Sequence, residues 1–155
     1  MNRFIDIFFN FPLVVSGIAW LIAQLLKTVV SIVTERRLNF VSLMASGGMP
    51  SSHSATVCAL AISIGLTQGF RSPLFAIAFL FAYIVMYDAA GVRRETGEQA
   101  KILNKILVDL AEGNTDEMPK ELKELVGHTP LQVFAGAVLG IVIAVAAKYI
   151  VYGVI

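Results

Sequence analysis

The sequence predicts an all-α integral membrane protein: about four transmembrane helices plus an amphipathic helix on the cytoplasmic face. Three observations carry this. Hydrophobic residues make up 57% of the 155 and charged residues only 15%, against about a quarter charged in an average soluble domain. Such a chain has too little polar surface to cover a soluble fold and too much apolar content to stay disordered. Its apolar residues gather in four uncharged runs of 16 to 20 residues, close to the roughly 17–25 that cross a bilayer. The longest polar stretch repeats its apolar residues at helical spacing. The expected organisation is a single membrane domain, 1–155, with spans near 7–27, 53–70, 72–88 and 129–152 and a polar surface segment at 91–128.

The first run, Ile7 to Leu26, holds 20 residues between Asp6 and Lys27. It is too long for the apolar core of a signal peptide and lacks a small-x-small cleavage site, so it reads as a retained span. The second run, Ser54 to Phe70, has 17 residues, and the third, Ser72 to Tyr87, has 16. Gly69-Phe70-Arg71-Ser72-Pro73 separates them. Two short spans, or one hairpin that dips into the bilayer and returns, both satisfy the hydropathy. In the polar segment, Ile102, Leu103, Ile106, Leu107 and Leu110 share one side, with Lys101, Asn104, Lys105 and Asp109 on the other. That pattern is an amphipathic helix, lying on the membrane surface or across the bundle. Glu112-Gly113-Asn114-Thr115-Asp116 breaks it, and Pro119 to Val126 reads as a second short helix ended by Gly127. The last run, Thr129 to Ala147, has 19 residues. Its Gly136 and Gly140 form a small-xxx-small pair suited to packing within the bundle.

Four spans place Thr34–His53 and Ala89–His128 on one face. That face carries Arg36, Arg37, Arg93, Arg94, Lys101, Lys105, Lys120 and Lys123, while the other carries Arg3, Arg71 and Lys148. The positive-inside rule then directs the polar loops to the cytoplasmic side of the cell membrane. A net charge of +1 gives no case for nucleic acid. The lone Cys58 excludes an internal disulfide and a cysteine-built zinc site.

Three stretches carry chemistry, all on that face. Ser46-Gly47-Gly48-Met49-Pro50-Ser51-Ser52-His53-Ser54 precedes an apolar helix. Glycine lets backbone approach a ligand, Ser51, Ser52 or Ser54 can cap the helix, and the helix start favours an anion. His53 adds a group that titrates near neutral pH. Tyr87-Asp88-Ala89-Ala90-Gly91-Val92-Arg93-Arg94 ends the third run. Asp88 at the membrane calls for an ionisable partner. Arg93 either supplies it or grips a phosphate with its planar fork. Gly127-His128-Thr129-Pro130-Leu131-Gln132 opens the last run. Thr129 suits the cap, Pro130 the first helical position, and Gln132, one turn on, can meet the His128 imidazole. Lys27, Arg36 and Arg37 face the same region as snorkelling cations or as anion ligands. Two separated histidines, even with Asp88, are a weak metal signal.

In order and spacing, Gly47 through Ala55, Tyr87 through Arg94, Gln99-Ala100, Leu103-Asn104 and Gly127-His128-Thr129-Pro130 resemble one family. It is the divergent branch of the type 2 phosphatidic acid phosphatase (acid phosphatase/vanadium haloperoxidase-related) superfamily. The resemblance runs from about Trp20 to the last span. It implies a membrane phosphatase needing no metal or cofactor and acting on a lipid phosphate or diphosphate through a phosphohistidine. By position, His128 matches the nucleophile and His53 the proton donor. Lys27, Arg36, Arg37, Gly48, Ser51, Ser52 and Arg93 fall where the superfamily binds phosphate. This sequence departs from the pattern at several points. No proline follows Arg36 or Arg37, Ser52 replaces a glycine, and no serine precedes Arg93. Gln132 stands where the superfamily has an aspartate, so either Asp88 supplies the missing charge, or the enzyme is slow, or the site binds phosphate without hydrolysing it. A non-catalytic binder or transporter of anionic phospholipid uses the same pocket. A third reading is a structural membrane subunit that docks through its amphipathic helix. The expected partners are the lipid phosphate substrate, membrane lipid and, for so thin a bundle, a second copy in a homodimer.

Overall fold

The computed structural model describes residues 5–35, 48–111 and 127–153, the side chains at 34–35, 93–94 and 109–111 excepted. Among these residues the fold is helical throughout. A short 3-10 turn, Ile5–Phe9, leads into α1, Phe11–Glu35. α2 covers Ser52–Gln68, α3 Pro73–Ala90, α4 Val92–Ala111 and α5 Pro130–Tyr152. α1, α5 and the helical path that starts at Pro73 are long and apolar enough to cross a membrane. α2, with 17 residues, is about 25 Å long at 1.5 Å per residue, just under the roughly 30 Å hydrocarbon core.

The ends of an uncharged run and the ends of a helix are different quantities, as α1 shows. The first span was expected to start near residue 7 and stop at Lys27. Instead α1 begins at Phe11 and runs two turns beyond Lys27 to Glu35. Charge ends a hydropathy run, but it does not end a helix, because Lys, Thr and Glu all keep helical backbone bonds. Helix starts follow local capping chemistry. Ser51 caps α2, Ser72 caps α3 with Pro73 next, and Thr129 caps α5 with Pro130 next, as side-chain acceptors and a preset proline φ dictate.

α2 is the central helix and packs on α1, α3 and α5. Its neighbours meet it through small side chains. Ala59 joins Val15 and Ala19 of α1 and Ala144 of α5, while Val57 and Ala61 meet Ala78 and Ala82 of α3. Within a membrane, such small residues let backbones approach and gain dispersion contacts. The glycine pair takes this furthest. A Cβ at Gly136 would run into the carbonyl oxygen of Ser51, and one at Gly140 into that of Ala55. The pair therefore seats α5 on α2 inside the bundle. The large apolar residues face outward, among them Trp20, Phe79 and Phe81, where lipid meets them.

The bundle has two ends. At one, the ring of Phe11 meets Tyr152 edge-on at 5.5 Å, and Lys148 Nζ sits 3.7 Å above the Tyr152 ring. At the other, the start of α2, the end of α3 and the start of α5 converge.

Candidate functional site

That second end is held by three backbone contacts. The Ser51 N–H donates to the Gln132 carbonyl at 3.0 Å, tying the α2 cap to the first turn of α5. The His128 N–H donates to the Ala89 carbonyl at 3.2 Å, tying the segment before α5 to the end of α3. Gly136 completes the seam beneath Ser51.

Side chains build on this frame. Ser51 Oγ accepts from the Ser54 N–H at 3.4 Å and the Ser54 hydroxyl at 3.1 Å. Ser51 and Ser54 are fully enclosed and Ser52 is buried, and the Ser51 and Ser54 hydroxyls hold the loop and helix start together. Ser51 therefore acts here through its cap and its backbone. His53, one residue into α2, is exposed. His128 is 3% exposed, yet its ring centre lies 6.2 Å from that of His53, edge to face. Two histidines 75 positions apart meet because α2 and α5 start side by side.

Gln132 is the hub. Its Oε1 accepts the Thr129 N–H at 3.1 Å, and Thr129 Oγ1 accepts the Gln132 N–H at 3.3 Å. This is a capping box closed from both sides. The same Oε1 lies 3.3 Å from His128 Nδ1. An oxygen already accepting from Thr129 fixes the orientation of the amide, so in the neutral ring Nδ1 is the donor. The tautomer follows: Nδ1 carries the proton and Nε2 the lone pair. The sequence anticipates the meeting of Gln132 with the imidazole. It gives no sign that the helix cap and the imidazole use the same oxygen.

Lys27 lies against the loop before α2. It is only 6% exposed, and its stem runs against Gly48. A Cβ on Gly48 would lie 2.8 Å from Lys27 Cε and 3.2 Å from Cγ, and Gly48 holds φ at +104°, a conformation that favours glycine. Lys27 thus reaches the loop before α2 along a groove that only a glycine leaves open. Asp88, half-buried, precedes the Ala89 carbonyl that holds His128. Arg93 stands in the first turn of α4, with its side chain outside the described residues, and Arg36 and Arg37 lie outside them altogether. So do the expected break at 112–116 and the expected helix at 119–126. Two contributors lie in the stretches the sequence singles out, but the contacts they make there are not legible in it. The Ala89 carbonyl and the Ser54 hydroxyl matter only through their positions in the fold.

Comparison with known proteins decides the lineage. The family described as the divergent PAP2 family matches residues 8–143. The chain belongs to the divergent PAP2 family. It is 41% identical to the uncharacterized membrane protein YuiD of Bacillus subtilis (strain 168), over 90% of this chain and 95% of that one. No solved structure matches. The family inferred from the residues around His53, Asp88 and His128 is thus the family found. This divergent PAP2 chain is a phosphatase-related membrane protein.

Proposed function

We propose that this divergent PAP2 protein is a membrane phosphatase that hydrolyses a lipid phosphate or diphosphate through a phosphohistidine. One observation carries the reading: two imidazoles with ring centres 6.2 Å apart, one of them held by Gln132 in the tautomer a nucleophile needs. A phosphoryl group that reaches the two rings, which have to part to admit it, meets a lone pair on one and a proton donor on the other. His128 Nε2 attacks phosphorus, the bond from phosphorus to the lipid oxygen breaks, and His53 passes its proton to that oxygen. Water then attacks the phosphohistidine and gives a proton to His53. The phosphorus–nitrogen bond breaks, and inorganic phosphate leaves with His128 restored. Lys27 and the α2 start offer positive charge and N–H groups to the phosphate oxygens, with Arg36, Arg37 and Arg93 as further cations. Asp88 supplies the negative charge that Gln132 lacks. A lipid substrate follows from the pocket's place at one end of the membrane helices, facing the cytoplasm in the cell membrane, where head groups arrive at that depth.

Gln132 also favours a second reading. A neutral amide orients the ring without stabilising its cation. In a serine protease, the corresponding loss of charge costs about ten-thousand-fold in turnover. The same pocket would then serve a non-catalytic binder or transporter of anionic phospholipid.

The deciding experiment assays purified protein for phosphate release from phosphatidate, phosphatidylglycerol phosphate and prenyl diphosphate. Chelator is present throughout, with His128→Ala alongside. Chelator-resistant release that the variant lacks supports the phosphatase. Saturable binding of the same lipids without release supports the binder.

A further inference from the structure

α4 is built the wrong way round for water. Its inner stripe is Gly97, Ala100, Asn104 and Leu107, which are buried or half-buried and recur at the three- and four-residue spacing of one helix face. The opposite side shows Ile102, 61% exposed, and Ile106, 47% exposed, with Leu103 exposed at their flank. Among the described elements α4 packs only on α3. Leu107 apart, small and polar groups thus lean on the protein while Ile102, Leu103 and Ile106 point away from it. Burial on folding does not account for such a face.

The neighbouring residues identify the occupant. α3 runs into α4 through Gly91, whose φ of −105° and ψ of −82° depart from helix. The outer surface of α3 is already lipid-facing, with Ile77, Leu80 and Ile84 exposed. Near its end Tyr83 and Tyr87 are exposed and stacked, with ring centres 6.3 Å apart, the kind of aromatic pair that sits at head-group level. α4 starts five residues beyond Tyr87, at the bilayer boundary. Lys101 and Lys105, both exposed, lie on the helix side next to Ile102 and Ile106. Lys101 also pairs with Glu98 at 3.1 Å. Glu95 and Glu98 are exposed on the same side one to two turns nearer the helix start, and beyond them the apolar groups beside Lys101 and Lys105 match an acyl layer topped by anionic head groups.

We propose that the outward face of α4 is a lipid-binding surface: Ile102, Leu103 and Ile106 enter the acyl boundary of the leaflet on the His128 side, and Lys101 and Lys105 rest on anionic head groups. The surface is independent of whether the pocket hydrolyses phosphate. It adjoins that pocket, since Ala89, just before α4, holds His128.

The test uses the full chain in nanodiscs containing phosphatidylglycerol. Spin labels are placed singly at Ile106→Cys and Lys105→Cys on a Cys58→Ala background. Size-exclusion profiles confirm that each variant folds. The label at 106 is expected to be severalfold more accessible to oxygen than to a water-soluble nickel chelate, and the label at 105 the reverse. Equal nickel access at the two positions would place α4 in water and overturn the proposal. Exclusion of both reagents from 106 would mean a protein partner covers it, and would overturn it too. In discs of phosphatidylcholine alone, or with Lys101→Glu and Lys105→Glu together, nickel access at 106 is expected to rise. No change in either arm would remove the role of the lysines.

Discussion

Gln132 shows how one side chain can answer two demands. At the third position of α5 it closes a capping box with Thr129, and the oxygen that does so also faces His128 Nδ1. A carboxylate there keeps both hydrogen bonds and adds charge. Charge-assisted hydrogen bonds are about twice as strong as neutral ones, and about 1.4 kcal/mol is tenfold in rate. If the pocket is a phosphatase, Gln132→Glu is therefore expected to raise phosphate release about tenfold, and an unchanged or lower rate would count against His128 as nucleophile. His128→Ala is expected to lower release by at least about a thousandfold, as loss of a nucleophile does. Gly48 belongs to the same scale. Alanine there meets Lys27 at 2.8 Å on a backbone with φ of +104°, and left-handed backbone costs about 1–2 kcal/mol for a residue with a Cβ. If Lys27 binds the phosphate as proposed, in ground and transition states alike, Gly48→Ala is expected to raise KM more than it lowers kcat. An unaltered KM would detach Lys27 from the pocket.

At the scale of the element, the first turns of α2 and α5 hold the site together. Thr129→Ala removes the acceptor of the Gln132 N–H and is expected to cost about 1 kcal/mol of stability, readable as a lower Tm in detergent. Packing is less forgiving. Gly136 and Gly140 face backbone carbonyls of α2, and backbone cannot rotate aside as a side chain can. Gly140→Leu is expected to destabilise by about 1–3 kcal/mol or more, the range for overpacking. Gly17, with open space around it, gives the control: Gly17→Ala is expected to leave Tm nearly unchanged. Equal effects at 17 and 140 would contradict the packing described.

At the scale of the whole molecule, the bundle has an aromatic end and a histidine end. Phe11 and Tyr152 mark the first, and His53, Ala89 and His128 the second. Applied to the basic residues that the sequence assigns to the second end, the positive-inside rule predicts that this end faces the cytoplasm. A reporter fused after Ile155 is expected outside the cytoplasm and one inserted near residue 115 inside it. A cytoplasmic C-terminal reporter would reverse the sidedness.

Composition and short-range chemistry were enough to read several features from the residues alone. Membrane residence followed from apolar runs, helix starts from Ser51 and Thr129, tight packing from Gly136 and Gly140, and the family from the residues flanking both histidines. These signals are local, set by side chains within one turn or by bulk hydropathy. The passage of Lys27 along Gly48 and the meeting of the His53 and His128 rings were decided by tertiary structure. So was the outward turn of Ile102 and Ile106. Each depends on which helix faces which, and that choice belongs to the packing of the bundle as a whole, where small residues on α2 let three helices close around it.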